Sequence, residues 1–426
     1  MSGLALLAAL AAQAATQTGA PPPTPAPGPV AAETTAPATR TGESNYVDLE
    51  AGAGYSTNPI LSLDSNDGSA FGRISAHAVH TRVSDRTTTV LSGFAQSVFY
   101  TRRYGSAQSF DLNGRHDAAV NEKLRVFIAG DAAYDRGGQL DTRILGVPNV
   151  PLLPGTIVPP GLLIPGADFL TVTGRSYRAS VNAGGQLALG PRDFMDLSSG
   201  IEHDIFKSGS IDTHYTTVPV TIGYDRQLNP QTTVGARVAA QFTRYSGTLN
   251  TGTVDSRVIT PELTGQFRLS ERLTLSGDVG ASFSSVDDGI RTRHSTGFAG
   301  DANLCSTGER TQFCGRASIQ QQAATSAGPA RVINVGVDYS RRLTADDTLQ
   351  LSLSGNRYSN PTVIVSGISF NHATYFRAAA DYSRHLGNRW YGGVNLAARK
   401  LTQTGRDPDA DLSAALFIRY RLGDVQ

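Results

Sequence analysis

Apolar and polar side chains alternate residue by residue between Phe110 and Asp135, with one break at Asn121. Before the break, the even-numbered positions such as Leu112 are mostly apolar, and the odd-numbered positions carry the charges of Arg115 and Asp117. A repeat of two residues is the period of a β-strand, so the stretch predicts two strands joined by a tight polar turn. Each predicted strand has one apolar and one charged face over about ten residues, which is typical of a strand that crosses a bilayer.

The same unit recurs from Tyr46 to Leu422, which predicts about 16 strands, and short turns alternate with longer loops along the whole chain. An even number of strands with short turns at one end and long loops at the other is expected of an outer-membrane barrel. We therefore predict an all-β fold: a single transmembrane antiparallel up-and-down β-barrel over residues 44–426, with both termini periplasmic. A soluble propeller or sandwich gives no reason for the alternation of turn lengths.

The first 43 residues differ in composition from the rest. Residues 1–14 contain the apolar run LALLAALAA followed by a small-x-small site, which predicts a secretory signal peptide. Ser2 and Gly3 carry no positive charge, which leaves open a true start further upstream. Residues 15–43 are rich in Pro, Ala and Thr and predict a disordered periplasmic linker. A frayed N-terminal helix and a polyproline ligand for a partner domain are the alternatives.

Composition excludes several classes of protein. A formal net charge of +1 argues against nucleic acid as a partner. No apolar run approaches the roughly 20 residues of a membrane helix, so any crossing must be made by strands. The chain has no P-loop, no HExxH, no G-x-S-x-G and no paired CxxC. We therefore expect no enzyme activity, no cofactor and no metal site.

Aromatic residues are placed near both ends of the predicted strands. Because amphipathic rings favour the two membrane interfaces, these positions predict two aromatic girdles, although the β-propensity of Tyr and Phe is a simpler explanation. The predicted loop-end girdle comprises Tyr55, Tyr100, Tyr134, Phe206, Phe242, Phe283 and Tyr358. The predicted turn-end girdle comprises Tyr224, Tyr339, Tyr382, Tyr420 and Trp390.

The polar face of the strands is the predicted functional surface, since it would line a water-filled lumen. Its mixed charges neutralise one another and predict no strong ion selectivity, and each single charge could equally serve only to hydrate the wall. The predicted pore-lining residues are Asp48, Glu50, Arg73, Asp111, Arg115, Asp117, Arg125, Asp131, Arg178, Asp196, Glu202, Arg237, Glu262, Arg268, Asp278, Asp338, Arg377, Asp381, Arg419 and Arg421.

Two cysteines, Cys305 and Cys314, lie in the long insertion from Ser285 to Ala330. An oxidising compartment favours a disulfide between them, which would restrain a long external loop. Two free thiols are the alternative.

The segment LEAGAGYSTNPIL (Leu49–Leu61), the Gly-rich alternating strands and the turns SDRTTT and NEKLRV resemble a family of porin-like outer-membrane β-barrels. Members of that family are often associated with exopolysaccharide gene clusters in Gram-negative bacteria. The resemblance covers roughly Tyr46 to Leu422 and implies the bacterial outer membrane as location. The chain departs from the common aromatic C-terminus of such barrels, because it continues past Tyr420 to LGDVQ.

The insertion from Arg136 to Gly174 is the third long loop, and its middle carries no charge. The layout also resembles general diffusion porins, in which the third external loop narrows the bore. By that analogy the insertion could form a hydrophobic gate, or it could pack at the rim or on a partner.

Two main hypotheses follow. The first is an outer-membrane channel that passes a hydrophilic solute, with export of a neutral or weakly charged exopolysaccharide as its most specific form. The second is a closed structural or adhesive barrel that binds partners through its external loops. A hydrolase based on His77, His116 or His203 is the weakest alternative. The expected partners are the lipid bilayer and lipopolysaccharide, the outer-membrane assembly machinery and components of polysaccharide export.

Overall fold

The computed structural model describes residues 42–59, 61, 67–102, 104–136, 175–208, 211–247, 254–287, 291–324, 328–365, 368–403 and 409–424. Within these ranges, eighteen strands form one sheet: β1 Gly42–Ser56, β2 Ser69–Val83, β3 Thr87–Tyr100, β4 Ser106–Ala119, β5 Leu124–Arg136, β6 Arg175–Ala188, β7 Asp193–Ser208, β8 Ile211–Asn229, β9 Thr232–Gly247, β10 Val254–Arg268, β11 Leu273–Asp287, β12 Thr292–Thr307, β13 Thr311–Ala324, β14 Gly328–Arg342, β15 Asp347–Val365, β16 Ile368–Gly387, β17 Trp390–Gln403 and β18 Asp411–Gly423. The predicted signal peptide and the predicted linker up to residue 41 lie outside the described residues.

Each strand pairs antiparallel with the next one along the chain, and the first strand pairs with the last. The β1–β18 seam runs from the Tyr46–Gly423 pair to the Ser56–Ser413 pair without a register shift. The sheet is therefore closed on itself, and the predicted all-β, antiparallel up-and-down barrel is confirmed, with eighteen strands in place of about 16. No helix in the described ranges is long and apolar enough to cross a membrane.

The two additional strands lie in the insertion that the sequence predicted to be a long loop. Strands β12 and β13 form a hairpin with β12 paired to β11 and β13 paired to β14. About half of the outward positions between Phe298 and Ile319 are Gly or Ala, as at Gly300, Ala302 and Ala317. Alternation between small and polar residues gives a weak strand signal, which is why the hairpin was missed.

The disulfide between Cys305 and Cys314 joins directly opposed positions of this hairpin. Both cysteines lie next to the turn at residues 308–310, on the short-turn side of the barrel. The expected restraint of a long external loop is therefore wrong, because the insertion is itself a strand pair whose turn points to the opposite end.

Short turns connect the strands at one end, and polar side chains fold several of them by the same device. The side-chain oxygen of Asn121 accepts hydrogen bonds from the backbone N–H groups of Lys123 and Leu124, at 2.8 and 2.9 Å. Ser270 and Thr344 bind the backbone N–H groups two and three residues further on in the same way. Such local bonds stabilise tight turns. Both described ends of the chain lie at this end of the barrel.

Side chains of opposite character occupy the two faces of the ring. Large apolar residues are exposed on one face, with Leu416 and Leu263 at 67% and 65% of their full accessibility. The alternate positions, such as Asp48 and Asp381, are buried. Because the strands of a closed barrel shield its inner wall, the apolar face is the outer one. This is the pattern of a barrel with hydrocarbon outside and polar groups within.

Strand β3 is turned the other way from its predicted orientation. Its sequence is apolar on both faces; Val90, Phe94, Val98 and Tyr100 share one of them, and alternation alone predicts that this face meets lipid. In the structure Phe94, Val98 and Tyr100 line an interior cavity, whereas Leu91 and Phe99 are exposed outside.

The register with the neighbouring strand explains this orientation. Leu91 lies opposite Gly114, and Gly93 lies opposite Leu112. A Cβ atom at position 114 would stand 2.7 Å from the end of the Leu91 side chain, so glycine leaves room for the present position of that side chain. Directly paired residues share a face of the sheet, so the inward charges Arg115 and Asp111 of β4 place their partners Val90 and Phe94 of β3 inside as well.

Outward aromatic residues lie at both ends of the barrel, as predicted, with one exception. At the turn end Trp390 and Tyr420 pack with ring centroids 4.7 Å apart. At the loop end Tyr134 and Tyr177 pack at 5.0 Å. Tyr100, assigned to the loop-end girdle, instead faces the interior. The side chains of Phe206 and Tyr358 lie outside the described part of the structure.

The orientation of β3 is tested by single cysteines at adjacent positions. In liposomes we expect Phe94→Cys to react with a charged, membrane-impermeant thiol reagent, because its side chain meets the aqueous interior. We expect Ala95→Cys to be protected by lipid. The protein without substitution is the control, since Cys305 and Cys314 are bonded to each other. Labelling of position 95 with protection of position 94 would restore the orientation predicted from the sequence.

Candidate functional site

The twenty residues predicted to line the lumen all lie at positions that alternate with the exposed outer residues. Asp48 and Glu50, for example, flank the exposed Leu49, and Arg419 lies between the exposed Ile418 and the outward Tyr420. Because successive strand side chains point to opposite faces, the whole set faces inward. We treat this inner face as the candidate functional surface.

Along the seam, inward charges pair across the strands that close the ring. Arg421 makes two hydrogen bonds of 2.7 Å to Asp48, its register partner on β1. Glu50 accepts from Arg419 at 2.8 Å on one side and from Arg73 at 2.6 Å on the other. Bidentate guanidinium–carboxylate contacts are directional, so these pairs also fix the register of the seam.

Further ion-pair networks lie along other parts of the inner wall. Arg178 binds Asp204 at 2.9 Å and Glu202 at 3.4 Å, across the β6–β7 pair. Arg237 binds Glu262 at 2.9 Å and also binds Asp278, so it bridges β9, β10 and β11. Each cation therefore sits against two carboxylates, which offsets part of the cost of removing these groups from water.

Arg115 and Asp117, which anchored the prediction of an inward polar face, pair with each other along β4. Two hydrogen bonds of 2.8 Å join the guanidinium to the carboxylate. The guanidinium also lies 4.4 Å from the centroid of the Phe127 ring on the neighbouring strand. A cation over an aromatic face is a favourable contact, so an inward phenylalanine belongs to the polar wall.

The charged side chains of the inner wall are not equally shielded from solvent around the ring. The side chains of Asp48 and Arg421 at the seam are 8% and 17% exposed. Those of Arg316 and Asp338, which pair at 2.8 Å on β13 and β14, are 63% and 37% exposed. The interior is therefore packed near the seam and open to solvent near β13.

A segment of the first loop is clamped onto the packed side. Ser56 donates to Asp411 at 2.5 Å, and the backbone N–H of Asn58 donates to the same carboxylate at 3.0 Å. Arg399 binds Asp411 at 2.6 Å and the Pro59 carbonyl at 2.9 Å. We name these five residues the first-loop clamp. Asp411 and Asn58 are almost fully buried, so the clamp is a fixed part of the loop-end rim.

Beneath the clamp lies a cavity of about 110 Å³ in the packed wall, bounded by β1, β2, β3, β16, β17 and β18. Charged groups such as Glu50, Arg73 and Arg377 line one part of it, and the rings of Phe71 and Phe94 line another. The cavity is smaller than a typical small-molecule site, and in its lining Glu50 pairs with Arg73 and Arg419.

Sequence reasoning missed several members of the inner wall. Asp301 and Arg316 fall in the hairpin that was taken for a loop, and Asp411 lies one residue before the last predicted strand. The signal that could have found Arg316 is its spacing of two residues from Cys314 on the same face.

The insertion at residues 137–174, expected to narrow the bore or pack at the rim, lies outside the described residues. In the described part of the chain, no group of three or more His, Cys, Asp or Glu side chains could hold a metal ion.

No protein-family model matches the chain, and no curated protein matches its sequence. Among solved structures, the FrpB iron transporter from Neisseria meningitidis (F3-3 variant) has a TM-score of 0.44 at 10% identity, over 84% of this chain and 62% of that one. The siderophore receptor PirA from Acinetobacter baumannii has a TM-score of 0.43 at 7% identity, over 90% and 81%. The alcaligin outer-membrane receptor FauA from Bordetella pertussis has a TM-score of 0.38 at 10% identity, over 90% and 77%.

This chain thus spans less than two thirds of the length of the FrpB structure. The identities are too low to transfer an activity, and TM-scores below 0.5 are too low to support an argument from these structures.

The contribution of the β1–β18 ion pairs to the stability of the barrel can be measured. Asp48→Ala leaves the shielded Arg421 without its carboxylate, so we expect a loss of stability of about 3 kcal/mol. The readout is the temperature at which the compact, heat-modifiable gel band disappears. Asp255→Ala is the matched control: it breaks a pair with Arg244 that also joins neighbouring strands, but both side chains are largely exposed. We expect little change for that control, and equal losses in the two variants would contradict a special role for the seam.

Proposed function

We propose that this chain forms a channel in the bacterial outer membrane that passes a hydrophilic solute. The observation that carries the proposal is the closed ring with an apolar exterior and a charged interior. Polar groups on the inner wall suit an aqueous passage, since lipid-facing and lumen-facing side chains alternate along each strand. Barrels of about 16 to 18 strands are wide enough to leave an aqueous channel.

The interior favours a solute of low net charge. Many of its carboxylates and guanidinium groups pair with one another, and the predicted pore-lining set contains acidic and basic residues in similar numbers. A ring of one sign would select ions of the opposite sign, and a strongly anionic polymer would be better served by a basic wall. A neutral or weakly charged solute meets little electrostatic barrier here.

The most specific form of the proposal is export of a neutral or weakly charged exopolysaccharide. Its support is the resemblance of Leu49–Leu61 and of the turn sequences to porin-like barrels associated with exopolysaccharide genes. Residues Ser56, Asn58 and Pro59 of that segment belong to the first-loop clamp, so the resembling segment has a structural role at the rim.

The alternative is a closed adhesive barrel that binds partners through its external loops. Two insertions motivated this hypothesis in the sequence. One of them is the β12–β13 hairpin within the wall, with its disulfide at the turn end. The insertion at residues 137–174 is the remaining support.

Conductance in planar bilayers tests the channel. Arg136 and Arg175 are opposed in the β5–β6 register, so residues 137–174 can be replaced by a two-residue Asn-Gly turn without lengthening the hairpin. We expect the shortened barrel to conduct, with a K⁺ to Cl⁻ permeability ratio close to one. Heat-modifiable gel mobility is the control for folding. A folded barrel that stays electrically silent both with and without the insertion would overturn the channel proposal.

A further inference from the structure

Three basic residues lie side by side on the outer face at the loop end of the barrel. Arg136 on β5 is the register partner of Arg175 on β6, and Arg175 is in turn the register partner of Lys207 on β7. Directly opposed residues on neighbouring strands share a face, with their Cβ atoms about 5 Å apart. All three residues are exposed. We call them the cationic row.

The cationic row lies just beyond the surface that meets hydrocarbon. Arg136 and Arg175 follow the outward Tyr134 and Tyr177, which are opposed in the same register and whose ring centroids are 5.0 Å apart, at a distance of two residues along each strand. Two strand residues span about 7 Å. Because tyrosine rings favour the membrane interface, the row lies at the height of lipid headgroups and not among acyl chains.

Like charges in direct register repel one another, so the row destabilises this part of the sheet unless an anion covers it. Among the described residues, the neighbouring carboxylate is Asp212, which lies 3.3 Å from Lys207 and also binds His214 at 2.8 Å. Elsewhere on the outer face at the loop end, Arg244 is opposed by Asp255 and binds it at 2.9 Å. One shared carboxylate at the end of a row of three cations does not compensate it in this way, so the row calls for a further anion.

Phosphate groups are the anions that suit the row at this height. A guanidinium group binds a phosphate through two parallel hydrogen bonds, and an ammonium group binds it as a point charge. Neighbouring strands are about 4.8 Å apart, so a row across three strands spans about 10 Å. One phosphodiester carries a single negative charge and reaches only part of that span. A headgroup with two phosphate groups matches both the charge and the width more closely.

We propose that the cationic row binds a membrane-lipid headgroup that carries two phosphate groups, in the leaflet around the loop end. Arg136 and Lys207 each hold one phosphate group, and Arg175 between them contacts both. The acyl chains then lie along the apolar outer face below Tyr134 and Tyr177. This lipid site requires a barrel that spans a bilayer but not one that conducts, so the lipid site and the channel can fail separately.

Thermal stability in the presence of added lipid tests the site. The full-length barrel in non-ionic detergent is titrated with diphosphoryl lipid A, with monophosphoryl lipid A of the same acyl chains, and with inorganic pyrophosphate. We expect the diphosphoryl lipid to raise the temperature at which the compact, heat-modifiable band disappears. The monophosphoryl lipid should need an about tenfold higher concentration, since it lacks one set of charge-assisted hydrogen bonds. Pyrophosphate at the same concentrations should have no effect.

Substitutions at the centre of the row separate binding from folding. Arg175→Gln should weaken the response to the diphosphoryl lipid about tenfold. Arg175→Glu places a carboxylate between Arg136 and Lys207, so the barrel without lipid should be at least as stable as the unsubstituted one, and the lipid should no longer stabilise it.

Two further variants are controls. Arg244→Gln removes one cation from the same face and the same end of the barrel, and it should leave the response to lipid unchanged. The barrel in which an Asn-Gly turn replaces residues 137–174 keeps the whole row and should respond in full.

Failure of the diphosphoryl lipid to stabilise the barrel would overturn the proposal, as would an unchanged response in Arg175→Glu. Equal losses of response in Arg175→Gln and Arg244→Gln would show general attraction to a charged surface and would also overturn it. Equal potency of the monophosphoryl lipid would exclude the two-phosphate headgroup, and equal potency of pyrophosphate would exclude a lipid site. Loss of the response in the shortened barrel would contradict the assignment to the row.

Discussion

Backbone hydrogen bonding in the absence of water is the constraint on which the whole molecule depends. A strand in hydrocarbon cannot leave its N–H and C=O groups unpaired, so a sheet that crosses a bilayer must close. Here closure joins β1 to β18, whose residues Asp48 and Arg421 are separated by 373 positions in sequence. The inward ion pairs at this seam lie at register positions, so they add directional contacts where the chain has the longest loop to close.

The interior follows from the same closure. Once every second side chain faces lipid, the others are confined to a narrow volume, and charges there require partners. Arg237 between two carboxylates and Arg115 between Asp117 and Phe127 show two ways to meet this requirement. The result is a wall that is polar but nearly balanced in charge. That balance is the observation behind the proposed preference for a solute of low net charge.

Small residues allow close contacts between strands that the pattern of charged and polar positions does not predict. Gly114 accommodates Leu91 on the outer face, and Gly54 accommodates Phe71 on the inner face. Both are close approaches between a side chain and a neighbouring strand. The clamp at Asp411 acts similarly at the rim, where one buried carboxylate holds Ser56, Asn58 and Arg399 together.

The sequence by itself determined the barrel class, the inward face of the predicted charges and most turns, because a period of two and local Asn, Ser and Thr turn bonds are properties of short segments. It left out the β12–β13 hairpin and misjudged β3. Only the tertiary structure decided those, since a strand with small or two-sided apolar positions takes its orientation from the register of its neighbours. The partners of the charges and the cavity beneath the clamp likewise depend on which strands closure brings side by side, and alternation along one strand does not contain that information.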